Sequence, residues 1–485
     1  MNKNKTRMNQ LNQNETAHGC ACLVGQASSL SSGTSLLEGG SDCNRVHHRT
    51  GWKPVPLLRQ LGALALLLGT ALLFNLNTRA SEVVFNVRDL GAKGDGTTLD
   101  TEAIQKAFDS VKKGGGTIVF PAGNYISGPL TLKGDKVTVR LDEGATLFAS
   151  TNQSLFLKVP GGDWLAAKSG GDFNPFLALK DSPDLTITGK GTIDGNGSVW
   201  WEAAEEARRK VNGFTLPRPN LIVPTRCNNL RIIGITIQNS MKFHLVPTEC
   251  DGVWIEGIKM FAPERAANTD AIDPSICRNV TVTNCLIDVG DDNIAIKSGK
   301  KVEGREFACE NITIVDCVFK HGHGMSIGSE TVGGVKNVFV RKVSFEDTDN
   351  GIRIKSDRKR GGVVENVVCE DITMKNVRGA ITITSYYPKI PATDTAQEVT
   401  ATTPKYRNIT IRNLTGTSSK AAGVIVGLPE SGIENVLLEN VTLEAADAGL
   451  EIRNAKGVEF KNVKITAKKG ESVIVKDAEV KGLEK

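Results

Sequence analysis

The chain has 485 residues, 50 of them glycine, with only 5% aromatic side chains and a formal net charge of +5. Length alone would allow roughly two or three ordinary domains, but repeat proteins escape that count, and a glycine-rich, aromatic-poor composition favours coiled β architecture over a large sandwich. The mild positive charge suits a solvated surface or a polyanionic partner. Nucleic acid is disfavoured, because no Lys/Arg run carries interleaved aromatics and Arg358-Lys359-Arg360 is too short to argue it.

Residues 1–52 are polar, rich in Asn, Ser, Thr and Gly and without hydrophobic period, and read as a disordered leader. Leu61 to Phe74 is then an uninterrupted stretch of apolar and small residues, preceded by Lys53 and Arg59. It is shorter than the about 20 residues a membrane span needs and suits the h-region of a signal peptide. Thr78-Arg79-Ala80 offers small residues for cleavage. Residues 1–80 are therefore expected to be leader plus signal peptide, with h-region 61–74, and 81–485 a mature domain that is secreted or periplasmic. The h-region lies far from Met1, which fits a start assigned too early or an uncleaved anchor. Membrane contact is expected only through this segment.

After Ser81 the sequence reads as strands: short runs rich in Val, Ile and Thr, punctuated by Asp95-Gly96, Gly114-Gly115-Gly116 and Asp194-Gly195. One helix is predicted over 98–112, where Ala103, Ile104, Ala107, Phe108 and Val111 follow helical spacing, and its expected job is to cap an open sheet end. Further along, one motif recurs: Asp184-Leu-Thr-Ile, Asn229-Leu-Arg-Ile, Gly252-Val-Trp-Ile, Asn279-Val-Thr-Val, Asn311-Ile-Thr-Ile and Asn337-Val-Phe-Val. It continues at Asn366, Asn408, Asn435 and Gly457. Such periodicity is the mark of a solenoid, with the Asn amides satisfying turn backbone coil upon coil. The fold class predicted is all-β: a single-stranded, right-handed parallel β-helix of roughly ten coils with an N-terminal capping helix.

Cys227, Cys250, Cys277 and Cys309 each fall two residues before the repeat's Asn or Gly, while Cys285 and Cys317 fall six after it; Cys369 completes the set. Stacked residues on adjacent parallel strands stand near 5 Å apart, awkward for a disulfide, so these read as inward thiols acting as small hydrophobes. A zinc site is disfavoured for want of a Cys-x-x-Cys.

A second repeat series carries chemistry. Aligning Ile272, Ile294, Met325, Ile352 and Ile381 places Asp270, Asp292, His323, Asn350 and Gly379 in one column, with Asp291 offset by one position. Parallel stacking would set neighbours about 5 Å apart. Three clustered carboxylates repel, so at least one should hold a proton near neutrality. One protonated acid beside an ionised partner is what glycosidic hydrolysis requires. Structural Asp at coil turns and a calcium cluster are the competing readings. Period 2 sends Arg353 and Lys355 outward together beside the acids, a fork and a point charge suited to a substrate carboxylate, and Lys297 falls in the Lys355 column and could extend a basic stripe.

Asn268-Thr-Asp-Ala-Ile-Asp273, Gly290-Asp-Asp292, Gly322-His-Gly324 and Arg353-Ile-Lys355 resemble, in order and spacing, the four signature motifs of family 28 glycoside hydrolases, the polygalacturonases. Phe85 to Gly96 is similar to the opening segment of many pectin-degrading β-helices. The resemblance implies Asp291 as general acid, Asp270 and Asp292 as activators of water for inverting attack, and His323 as organiser of the acid. It further implies Arg353 and Lys355 as holders of a galacturonate carboxylate. Tyr386 or Tyr387 would contribute to substrate binding, parity favouring the first and motif spacing the second. Asp273 is expected to be structural. Asn293 departs from the cysteine of well-known fungal members and marks a subgroup.

The implied activity is hydrolysis of α-1,4-galacturonosidic bonds in pectin by a monomer, with no cofactor and no metal. A rhamnogalacturonan hydrolase, a calcium-dependent pectate lyase and a non-enzymatic polysaccharide-binding β-helix adhesin are the alternatives. The insert 151–183 and the segment from Trp200-Trp201 to Arg218 are candidate groove walls.

Overall fold

A computed structural model of the chain describes residues 83–210 and 216–483; the leader and the h-region at 61–74 lie outside the described residues. The strands pair in parallel, each with the equivalent strand one coil away. Val253, Val280, Ile312, Val338, Val367, Ile409, Val436 and Val458 form one continuous inward column through successive pairings. A β-helix follows, because each coil buries its apolar residues only against the coils above and below.

The recurrent Asn has a local cause. Asn279, Asn311, Asn337, Asn366, Asn408 and Asn435 all adopt φ between 55° and 58°, a left-handed turn that costs most residues about 1–2 kcal/mol and Asn less. Their amides then form a ladder: Asn311 Nδ2 donates to Asn279 Oδ1 at 3.0 Å, Asn337 to Asn311 at 3.0 Å, and Asn366 to Asn337 at 3.2 Å. Gly252 and Gly457 occupy the same turn with φ of 76° and 63°.

Helix α1 (Thr101–Ser110) is shorter than the predicted 98–112 and buries Ile104, Ala107 and Phe108 against the first coils, the end-covering role expected of it. All seven cysteines among the described residues are buried with free thiols, placed inward in the core as the register requires.

The column that matters for function is built by pairing. Leu245 pairs with Ile272, Ile272 with Ile294, Ile294 with Met325, Met325 with Ile352, and Ile352 with Ile381. All six are fully buried, each contributing about 1.5–3 kcal/mol on the usual transfer scale. With these anchored inward, the residue two before each stands at the strand entrance on the same side of the helix.

Candidate active site

Asp291 sits at the centre. Its Oδ1 is 2.8 Å from His323 Nδ1 and accepts from the Asp292 amide at 2.9 Å; its Oδ2 accepts from the Asn268 amide at 3.2 Å and from Asn268 Nδ2 at 3.4 Å. The close approach of the His323 coil depends on its flanking glycines. Gly322 and Gly324 have φ of 75° and 74°, and a Cβ on them would collide with the carbonyl oxygens of Asp291 and Asn350 respectively. No side chain fits there, which is why His323 is bracketed by glycine. Asn293 fastens the same coil from inside: it is fully buried, accepts from the Gly324 amide at 2.8 Å, and donates to the Ile287 and Lys320 carbonyls at 3.3 Å each. Its role is to hold backbone.

The second carboxylate, Asp292, is 2% exposed and wholly engaged. Lys355 Nζ lies 2.8 Å from Oδ2, Arg353 Nη2 3.2 Å from Oδ1, and Ser326 Oγ donates to Oδ1 at 2.9 Å. Arg353 and Lys355 are thus brought to the acids as expected, yet they are buried and already paired. Among the described residues Arg353 Nε, itself buried, has no hydrogen-bond partner.

Asp270 is also buried, and Lys297 Nζ bridges its Oδ2 at 3.1 Å to Asp273 Oδ2 at 2.6 Å. This corrects the basic stripe expected from the Lys297 column. Lys297 is paired with two buried acids and is not free to hold a substrate anion. Among the described residues Asp270 Oδ1, itself buried, has no hydrogen-bond partner.

Protonation follows from these contacts. Burial, the Asp273 charge and those of Asp291 and Asp292 hold the Asp270 carboxyl well above the usual range, against the opposing Lys297. Burial raises Asp273 to about 6, again against Lys297. For Asp291, burial would raise the value, but the His323 hydrogen bond and charge, the Lys355 charge and the Asp292 amide outweigh it and hold the carboxyl far below normal. Burial would lower His323, and the hydrogen bond and charge of Asp291 with the charge of Asp292 raise it instead. Burial thus pushes Asp270 and Asp273 toward the protonated form, the direction expected for clustered carboxyls. In the free site, the proton of the Asp291–His323 pair rests on the imidazole, contrary to a picture of Asp291 as a standing acid. The 2.8 Å hydrogen bond aims that proton at Asp291.

Three contributors were missed. Asp349 stands 3.4 Å from His323 Nε2, so the imidazole lies between two carboxylates. Arg218 is 2% exposed and donates to Asn268 Oδ1 at 2.9 Å and to the Met241 and Ala267 carbonyls at 3.0 Å. It positions the residue that holds Asp291, and burial lowers it to about 10. Ser326 could have been found from register, since it pairs with Arg353; nothing in the sequence marks Arg218.

Of the two tyrosines, Tyr387 belongs to the site: its ring lies 5.2 Å from Lys355 Nζ and 5.4 Å from the Arg360 guanidinium. Tyr386 does not. It is buried with Val426 and Leu428, and its hydroxyl donates to Asp394 at 2.7 Å. The strand ends at Thr384, so alternation no longer governs the following residues.

One wall is helix α2 (Ser198–Lys210), whose Trp201, Glu202, Glu205 and Arg208 border a cleft of about 410 Å³ that reaches Asp291 and His323. The insert 151–183 supports it from behind, where Phe156, Trp164 and Phe173 contact the buried Trp200 edge-on. Donor atoms of Asp291, Asp292 and His323 lie within 4.8 Å of one another, close enough to share one ion. Arg353 and Lys355 already supply cationic partners there.

The profile of Glycosyl hydrolases family 28 matches residues 112–476. An endo-polygalacturonase of Pectobacterium parmentieri is 36% identical over 378 residues, covering 75% of this chain and 88% of that protein. Among solved structures, a polygalacturonase from Erwinia carotovora ssp. carotovora is similar at 32% identity and TM-score 0.62, covering 79% of this chain and 94% of that one. A hyperthermoactive exopolygalacturonase from Thermotoga maritima is similar at 25% identity and TM-score 0.62, with coverage of 81% and 92%.

Proposed function

The chain belongs to glycosyl hydrolases family 28, and from that premise we propose how its residues divide the cleavage of a galacturonosidic bond. The protein is a glycosidase that hydrolyses the polygalacturonan of pectin. Asp291 is the general acid, receiving the proton that His323 holds at 2.8 Å and passing it to the leaving oxygen as the glycosidic bond breaks. Asp292, held by Arg353, Lys355 and Ser326, accepts the proton of the attacking water, with Asp270 one coil before it as the second acid of the pair. Arg353 and Lys355, which also fix Asp292, place positive charge beside the Tyr387 face, where the uronate carboxylate and ring bind. The observation that carries this reading is the His323–Asp291 pair standing beside a cation-held Asp292 on one face of the helix.

The nearest oxygens of Asp291 and Asp292 stand within 4.8 Å, short of the roughly 6.5–9.5 Å usual for inverting pairs. We assign inversion on the family resemblance, with Asp270 on the preceding coil widening the acid set. The test uses purified 81–485 on unesterified polygalacturonic acid with excess chelator. Expected are new reducing ends, a first product of inverted anomeric configuration by NMR, and no unsaturated sugar. An ultraviolet-absorbing product that disappears with chelator would mean a lyase. Product length separates endo from exo action.

A pH dependence follows from the pair. Because the folded value of His323 is raised, its ion pair with Asp291 contributes fully below the unfolded value of about 6.5 and is lost as pH rises through the folded value. The alkaline limb of kcat/KM is expected above about pH 6.5 and should move down in Asp349→Asn. A limb below that point in the parent protein would contradict the pairing.

Residues 61–74 with Thr78-Arg79-Ala80 support export through a cleaved signal, and we propose a monomeric mature protein in the periplasm or medium. Mass spectrometry of the protein from whole culture should give an N-terminus near Ser81. An intact leader on the active protein would refute cleavage.

A further inference from the structure

The acids are bordered on one flank by Arg353, Lys355 and Tyr387, three coils beyond Asp270. The opposite flank is the coil before Asp270, located by the His244 amide, which donates to the Asp270 carbonyl, and by the pairing of Leu245 with Ile272. There Phe243 occupies the rung that Asp270 and Asp292 occupy in the next coils. Its ring is approached by two ammonium groups, Lys297 Nζ at 4.0 Å and Lys242 Nζ at 4.3 Å from the centroid.

The two lysines differ in one respect. Lys297 is paired with Asp270 and Asp273. Lys242 is half-buried, and among the described residues no carboxylate lies within ion-pair reach of it. Burial and the Lys297 charge depress its basicity, Asp270 opposes them, and Arg218 adds to the repulsion. A cation held near two others, with an aromatic face below it and no carboxylate in contact, is stabilised when an anion arrives. At about 4.8 Å per coil, Lys242 lies roughly four coils from Arg353, so the two cationic points bracket the acids along the groove.

We propose that Lys242, backed by Phe243, holds the carboxylate of a second uronate unit, on the side of the scissile bond away from Arg353 and Lys355. Lys242 is thus a specificity-determining residue that selects an unesterified unit at that position. This rests on the galacturonan reading of the site, and the test separates the two.

Hexagalacturonate binding is measured by calorimetry on Asp291→Asn and on Asp291→Asn/Lys242→Gln, so that turnover is not needed. The double variant should bind roughly tenfold or more weakly, as expected when one charge-assisted hydrogen bond to the ligand is removed, and Lys242→Arg should recover much of that affinity. In the otherwise native chain, Lys242→Gln should raise KM more than it lowers kcat, and the effect should grow from trigalacturonate to hexagalacturonate. Thermal stability should stay level or rise, because an unpaired cation is removed; a fall in Tm would point to a structural role and overturn the proposal. Equal hexagalacturonate affinity in the two Asp291→Asn proteins, or no binding in either, would also overturn it. Failure of the native chain to release reducing ends, with hexagalacturonate still bound through Lys242, would strike the hydrolytic reading instead.

Discussion

Asp291→Asn is expected to lower kcat on polygalacturonic acid by about 10²–10⁴-fold, the range for loss of a positioned general acid, with KM changed little. The substitution keeps size and shape, so Asn268, the Asp292 amide and His323 still surround the side chain. What it removes is the atom that carries the proton from imidazole to leaving oxygen. His323 itself loses the carboxylate that raises it, so the site would also lose its proton store near neutrality. Steady-state reducing-sugar assays across pH decide the matter. A variant retaining more than about a tenth of native kcat would transfer the acid role elsewhere, and Asp270, whose carboxyl burial pushes upward, would be the first candidate.

The largest stability effect is expected at Lys297. Its ammonium is the one protein cation contacting Asp270 and Asp273 among the described residues, and both acids are buried. Lys297→Met keeps length and the contact with Phe243 but leaves two buried acids without a counter-charge, a loss on the order of 3–5 kcal/mol. The sign with pH is fixed by Asp273, whose folded value near 6 lies above the ordinary value of 3.8. A raised acid takes up a proton in the folded state first, so its contribution to stability falls as pH rises from about 4 through 6. Removing Lys297 raises both acids further. The variant should therefore be most destabilised at neutral pH and least near about pH 4.5, where both acids can hold protons. Urea unfolding at mildly acidic and mildly alkaline pH measures this, and a deficit independent of pH would mean that Lys297 stabilises by packing alone.

These two residues also mark the limit of what could be read from the chain. The place of Asp291 was legible because Asp292 falls in register with Asp270 and His323, and register in a parallel coil is a local property set by alternation; its role as acid came from the family resemblance. Lys297 was misread for the same reason: column membership gives the face on which a side chain stands, but not the partner it meets. Its partners lie one coil away, more than twenty residues back, on loops whose length sets the approach.

The sequence by itself determined the architecture. Inward Val and Ile at period 2, Asn at left-handed turns and glycines around His323 are each short-range demands of backbone and core, repeated until only a parallel coil satisfies them. It also determined which face holds the acids, since those residues stand two before an inward Ile or Met. Tertiary structure decided which carboxyls burial pushes upward, which tyrosine meets Lys355, that Arg353 and Lys355 pair with Asp292, and that Arg218 underpins Asn268. Each of these depends on burial and on distances of about 3–5 Å between separate coils. Such distances come from how loops and neighbouring coils pack, which no local pattern encodes.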